Sequence, residues 1–293
     1  MQIALYLGAH RTGSTYIQTQ LQNCSSELLA CGVKIVPLAR VRDSITREVS
    51  NPWLRLIKPG FMRKNAILGF LRREADKGVK RMVVSDENLL GSIHGIFSNK
   101  DFYPNLQDRL GCLAANHTEF EISVFLAVRS YEWFFSSAYA HAIKTRDLPD
   151  FNDLKTRLLS FNRGWGHVVS DLRILFPNSN ITVWTHEEFR KNEWRIFNEI
   201  LGFEWLRENP NNSWWANSSP SWKAIQEIMA KRRIQGDVSK AEVDAILAAY
   251  PKGDCNPGFH PWNSSEKQAI KDRHQKDIRN VETLCDQFFG DST

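Results

Sequence analysis

The chain reads as an α/β protein in which helices cover both faces of a parallel sheet and a helical cap follows at the C-terminal end. Three observations predict this. Short apolar runs alternate with segments of helical period as far as Gly202. Those runs are rich in Val, Ile and Leu with little polar alternation, as in strands buried on both faces. No repeat, low-complexity tract or long Pro/Gly/Ser linker divides the 293 residues, so a single domain over 1–293 is expected.

The expected strands are Gln2–Leu7, Val33–Val36, Arg81–Ser85, Ile122–Val128 and Ile181–Thr185. Helical periodicity places helices at Ser14–Asn23, Tyr131–Lys144, Trp165–Phe176 and Glu187–Leu201. After Gly202 a loop rich in Asn and Trp leads into helices near Ser221–Arg233 and Ser239–Ala249. A last long helix starts near Asn263, where Asn263 and Glu266 have capping-box spacing, and its apolar positions Ile270, Ile278, Val281, Cys285 and Phe288 share a face. The region from about 203 to 293 is expected to pack on the sheet domain as its cap.

Composition narrows the class. With 42% hydrophobic residues and 17 Phe, 10 Trp and 6 Tyr, the chain has the apolar side chains to offset its ordering entropy. No run approaches the roughly 20 apolar residues needed to cross a bilayer, and the N-terminus lacks the basic region and cleavage site of a secretory signal, so a cytoplasmic protein is expected. The five Cys are scattered with no CxxC, and the eight His include no HExxH, so neither a disulfide framework nor a metal site is expected. No GxSxG elbow supports a serine hydrolase. Sequons such as Asn116-His117-Thr118 carry no meaning in a cytoplasmic chain. The ten Trp are read as core or cleft walls, with stacking on sugar rings as the alternative.

Charge is uneven. Between Arg40 and Arg81 there are 12 basic and 4 acidic residues, a surplus of 8 against +5 for the whole chain. Such a segment either attracts an anionic partner or is a solvated helical face. No nucleic-acid-binding motif accompanies it, so nucleic acid is not expected as a partner.

The most informative segment is GAHRTGST, Gly8–Thr15, between the first strand and the first helix. Two glycines five residues apart let backbone N–H groups converge on an anion, and the helix N-terminus adds partial positive charge. Arg11 supplies a full charge, and Thr12, Ser14 and Thr15 supply hydroxyls. A triphosphate loop of the GxxxxGK[ST] type needs Lys directly after the second glycine, where this chain has Ser14. A smaller anionic group, held without a metal, fits better.

GAHRTGST resembles the 5′-phosphosulfate loop of the sulfotransferases that use 3′-phosphoadenosine 5′-phosphosulfate (PAPS), bacterial members included. The chain departs from that pattern by carrying Arg11 where Lys is usual, which keeps the charge but replaces a point charge with a planar fork. The resemblance implies a P-loop-like three-layer fold, with Gly8, His10, Arg11, Thr12, Gly13, Ser14 and Thr15 on the cofactor.

A second segment, FLAVRSYEWFFSSAYAHAIK, sets Arg129 at the end of a strand and Ser137 eight residues later, about two turns into a helix. In the same family an Arg and a Ser at this separation bind the 3′-phosphate. An Arg offers paired donors to phosphate and a Ser hydroxyl completes the contact. Ser136 is the alternative if the register slips by one. Taken singly, Arg129 could instead form a structural ion pair and Ser137 face solvent.

Between them VVSDENLLG puts Ser85, Asp86 and Glu87 at the C-terminal end of a strand, where open parallel sheets bind ligands. The resemblance implies Glu87 as catalytic base, with Arg11 neutralising charge on the transferred group. His10 and His94 are the alternative bases. A structural reading is that Asp86 or Glu87 caps the next helix, or that Glu87 pairs with Arg11. Lys252 and Gly253, in YPKGDCNPGFHPW, stand where the family has a basic loop over the 3′-phosphate. Asn217–Trp222, NSSPSW, also resembles a segment of bacterial members and could simply cap a helix.

The expectation is therefore a PAPS-dependent sulfotransferase that releases adenosine 3′,5′-bisphosphate and needs no metal. Its acceptor would be a hydroxyl or amine, guessed from the basic segment to be an anionic carbohydrate or glycoconjugate, with a small metabolite or lipid alcohol as the alternative. The competing classes are a P-loop nucleotide kinase or NTPase and a non-catalytic binder of nucleotides or polyanions. The acceptor and the oligomeric state are not legible in the sequence.

Overall fold

A computed structural model of the chain describes residues 1–75, 78–98, 101–116, 119–205 and 219–291. Six strands form one sheet: β1 (Gln2–Tyr6), β2 (Val33–Ile35), β3 (Arg81–Ser85), β4 (Glu121–Val128), β5 (Ile181–Thr185) and β6 (Gln287–Phe289). Their order is β2-β3-β1-β4-β5-β6, and every pairing is parallel. The α/β class and the parallel sheet are as the sequence predicts, and five strands agree to within a residue at each end.

Alternate residues of the strands feed two cores, which is why the runs lack polar alternation. Ile3, Leu5, Met82, Val84, Val124 and Leu126 are buried under one helical layer, which includes Gly60–Glu74, Leu106–Ala114, Tyr131–Ala142, Trp165–Leu175 and Ser264–Leu284. Ala4, Tyr6, Val83, Phe125, Ala127 and Trp184 are buried under the other, formed by Ser14–Asn23, Ser25–Ala30 and Glu193–Leu201. The arrangement is three layers with β1 near the middle.

The expected helix Glu187–Leu201 is two helices, His186–Lys191 and Glu193–Leu201, because Asn192 leaves the helical region at φ −134° and ψ 54°. The last helix starts as expected: Asn263 Oδ1 accepts from Glu266 N at 2.9 Å and Glu266 Oε2 accepts from Asn263 N at 2.8 Å. It ends at Leu284, however, and Phe288 belongs to β6, which extends the sheet beside β5. The C-terminal region, expected as a cap, thus supplies a helix of one flanking layer and a strand of the main sheet. The basic segment is helical over much of its length, with helices Leu38–Val41, Arg47–Ser50, Pro52–Ile57 and Gly60–Glu74. Helices Leu106–Ala114 and Phe151–Ser160 are additions to the expected set. Of the Asn- and Trp-rich loop and the NSSPSW segment, residues 206–218 lie outside the described residues.

Topology sets the site. The chain leaves β1 toward β2 on one side, then passes from β3 to β4 on the other, so the connections diverge beyond the C-terminal ends of β3, β1 and β4. Ligands of open α/β sheets bind at such a switch point. Tyr6 pairs with Ser85 on one side and with Phe125 on the other, which brings the loops after β1 and β3 out level.

Candidate active site

The loop after β1 stays beside β4 before it turns: Leu7 N donates to Phe125 O at 2.8 Å and Ala9 N to Ala127 O at 3.1 Å. It then folds back, with the Thr12 hydroxyl donating to Ala9 O at 2.6 Å. Its two glycines are required for different reasons. A β-carbon on Gly8 would lie 2.3 Å from the Tyr6 hydroxyl, so Gly8 is there for space. Gly13 holds φ +94° directly before the helix Ser14–Asn23, a backbone conformation that costs glycine little. As the N-cap it offers no side-chain oxygen, and the first N–H groups of a helix have no intrahelical acceptor. Those of Ser14 and Thr15 therefore face the loop as anion donors.

Arg11 also takes a positive φ, +66°, which turns its side chain away from the loop toward the helix after β4. Its Nε donates to Ser137 Oγ at 2.9 Å and Nη2 to Ser219 Oγ at 3.4 Å, while the two hydroxyls lie 3.1 Å apart. Arg129, one residue beyond β4, donates through Nη1 to Arg11 O at 2.8 Å. The loop and the Arg129/Ser137 pair thus meet at one place. Ser137 is the residue that faces it. Ser136 instead donates to Glu132 O at 2.6 Å and accepts from Trp262 Nε1 at 2.9 Å.

Burial lowers the pKa of both arginines, Arg129 to about 10, where Arg11 lowers it further and Glu187 opposes the drop. Burying a guanidinium is costly unless its N–H groups are satisfied. Arg129 Nε is buried with no partner among the described residues, and the Ser130 hydroxyl beside it is in the same state. Orphaned donors of this kind, next to an uncapped helix N-terminus, fit an oxyanion. No group of three His, Cys, Asp or Glu among the described residues is arranged to hold a metal ion.

Glu87 stands one loop away, after β3. Its Oε1 accepts from Arg42 Nη2 at 3.1 Å and its Oε2 from Gln18 Nε2 at 3.2 Å. Burial and the neighbouring Asp86 raise its pKa above the usual carboxylate value, against the opposing effect of Arg42 and Gln18. Asp86 takes the structural part: fully buried, it accepts from Thr46 Oγ1 at 2.7 Å and from Asn88 N at 3.1 Å, capping the short turn Glu87–Leu89.

The two imidazoles considered as bases are placed differently. Asn88 Nδ2 donates to Asp86 Oδ1 at 2.9 Å, which turns Asn88 Oδ1 toward His10 Nε2 at 3.4 Å. An N–H must donate there, so His10 Nδ1 accepts from the Tyr103 hydroxyl at 2.8 Å. With both nitrogens engaged and burial holding its pKa near 4, His10 is a neutral link in the wall. His94 Nε2 meets Thr145 Oγ1 at 3.2 Å. Lys252 and Gly253 lie exposed on a loop that closes on itself, Gly253 N donating to Asn256 O and Asn256 N to Gly253 O, each at 3.1 Å. Among the described residues no hydrogen bond joins them to Arg129 or Ser137, though the loop is tied near Ser219 by Trp222 N donating to Pro257 O at 2.8 Å.

Sequence reasoning missed Arg42, Gln18, Ser219 and His186. Gln18 was within reach, since it follows Ser14 by one helical turn on the same face. His186, directly after β5, donates from Nδ1 to Thr12 O at 3.0 Å and steadies the loop from the far side; burial and Arg129 hold its pKa near 4. In the NSSPSW segment Ser221 is the helix cap, accepting from Ala224 N at 3.1 Å, while Ser219 two residues earlier reaches Arg11.

The fold and site together define an open parallel α/β protein with convergent anion donors at its switch point and a carboxylate of raised pKa beside them. No family model matches the chain, and no curated protein matches it. Among solved structures it is similar to a crystal structure of a sulfotransferase from Alicyclobacillus acidocaldarius, at 13% identity and a TM-score of 0.44, covering 91% of this chain and 99% of that one. That likeness is too slight to assign a role to any residue here.

Proposed function

We propose that the chain is a sulfotransferase that takes its sulfonate from PAPS. The observation that carries this reading is the convergence of Arg11, Arg129, Ser137 and the uncapped N-terminus after Gly13 on one site that contains orphaned donors. In the bisphosphate product both phosphates hang from one ribose, so two neighbouring anion subsites suit it. Ser14 and Thr15 would hold the 5′-phosphate, and Arg129 with Ser137 the 3′-phosphate. Lys252 and Gly253 would need their loop to reach the same end. The Arg11 fork would trade its contact with Ser137 for the bridging and sulfonate oxygens.

PAPS brings an activated sulfonate, and the residues here orient the reaction around it. Glu87 takes the proton from an acceptor hydroxyl or amine as its oxygen or nitrogen attacks sulfur, and adenosine 3′,5′-bisphosphate departs. A carboxylate raised above its usual pKa is a better base at neutral pH. Arg42 and Gln18 hold both of its oxygens and so fix its aim. The engaged, neutral His10 and the wholly bonded Asp86 favour Glu87 for this role.

The NTPase alternative is weaker on the same geometry, since the only strong cation in the loop points at Ser137 and Ser14 occupies the triphosphate-lysine position. Incubating the chain with PAPS and a panel of hydroxyl and amine acceptors, and following release of the bisphosphate, tests the proposal. Release that depends on acceptor and on Glu87 supports it. Hydrolysis of ATP with magnesium, and no release from PAPS, would replace it with the NTPase.

A further inference from the structure

Five of the ten exposed large apolar residues among the described residues lie within one short stretch: Trp53, Leu56, Ile57, Phe61 and Met62. Their exposure runs from 45% for Met62 to 78% for Leu56. The others, such as Leu29, Ile174 and Ile234, are scattered, as single exposed apolar residues commonly are. Clustering is different, because a contiguous apolar patch on a surface marks an interaction.

The local structure makes the cluster a projecting tip. Trp53, Leu56 and Ile57 are spaced i, i+3 and i+4 on the helix Pro52–Ile57, so they share one face. Asn51 caps that helix, its Oδ1 accepting from Trp53 N at 2.9 Å. Phe61 and Met62 follow across the link Lys58–Pro59, in the first turn of Gly60–Glu74.

Charge around the tip is one-sided. The segment Arg40–Arg81 holds 12 basic and 4 acidic residues, and two of those acids are turned inward. Glu48 is buried against Lys58 at 2.7 Å, and Glu74 is buried against Arg40 and Lys34. Arg47 is exposed just before the tip, and Lys58, Arg63 and Lys64, half-buried, alternate with its apolar residues, so the tip is flanked by basic side chains. Trp, Phe and Leu beside Lys and Arg are the side chains of a helix that lies in a lipid interface, where the rings and aliphatic chains enter the headgroup boundary and the cations meet anionic lipid.

We infer that this helical pair docks the protein onto the surface of an anionic lipid bilayer, lying on it without spanning it. A second copy of the chain is a poorer occupant, since a two-fold contact would bring two basic rims together. The docking inference itself does not depend on the proposed reaction.

The test is flotation of the full chain with vesicles of phosphatidylcholine alone and of equal parts phosphatidylcholine and phosphatidylglycerol. Binding is expected with the second and little with the first, weakening as salt rises. The exposed-residue variant Trp53→Ser/Leu56→Ser/Phe61→Ser, with an unchanged melting temperature, should bind the mixed vesicles about tenfold more weakly or less. Failure of the parent chain to float with the mixed vesicles would overturn the inference, as would equal binding by parent and variant. So would a lipid-independent dimer in light scattering that the same substitutions dissolve, which would assign the face to a second copy.

Discussion

Arg11 Nε lies 2.9 Å from Ser137 Oγ, although the two residues are 126 positions apart, one on the loop after β1 and the other in the helix after β4. The contact exists because the β1 loop runs two residues further along β4 before turning, and because Arg11 adopts a positive φ that swings its side chain across. It brings two sequence motifs together at one place. Ser137→Ala should therefore weaken binding of adenosine 3′,5′-bisphosphate by about three- to tenfold, the range of one ordinary hydrogen bond. Ser136→Ala, which loses the bond to Trp262, should lower the melting temperature and leave affinity unchanged. Calorimetric titration of both variants checks the pair, and the reverse pattern would move the site to Ser136.

Glu87→Gln keeps the shape and can still meet Gln18. Turnover should fall by about 10²–10⁴ while nucleotide affinity stays near that of the parent, as for loss of a general base. Near-full activity would remove Glu87 from the reaction.

The acid limb of the pH–rate profile offers a second handle on the same group. Burial and Asp86 raise the Glu87 pKa, so activity should fall on acidification through a value above the usual carboxylate range. Arg42 favours the ionised form, and Arg42→Gln should move that limb to higher pH. A limb that stays in place would show that Glu87 is not the titrating base.

Several imidazoles predict acid sensitivity of the fold. Burial holds His10, His186 and His274 near pKa 4, whereas in the unfolded chain they titrate near about 6.5. Between those values the unfolded state binds more protons, so stability is full above about pH 6.5 and declines as pH falls toward 4. Urea-melt midpoints across this window should drop with pH, and His10→Gln should flatten the slope. A midpoint independent of pH would contradict the buried neutral assignment.

Much of the frame was legible because it rests on local pattern. Uninterrupted apolar runs marked five strands, and the capping-box spacing of Asn263 and Glu266 announced the last helix. Phe288 was not legible as strand: β6 has three residues and follows a long helix whose apolar spacing runs on into it. The site divides in the same way. Gly13 and Arg11 are read from a contiguous loop, but Arg42 reaches Glu87 from 45 residues away and Ser219 reaches Arg11 from 208, contacts that only the tertiary fold creates.

The central claim is that the β1 loop and the Arg129 end hold one nucleotide carrying a phosphate on each side of its ribose. Thermal-shift titration without magnesium tests it most directly. Adenosine 3′,5′-bisphosphate at about 100 times its dissociation constant should stabilise the fold by about 2.7 kcal/mol, and ATP, which lacks the 3′-phosphate, should do less at equal concentration. Arg129→Ala should cost the bisphosphate roughly 1.5–3 kcal/mol of charge-assisted hydrogen bonding and bring it close to 5′-AMP. Equal responses to ATP and the bisphosphate, or a strict need for magnesium, would contradict the account.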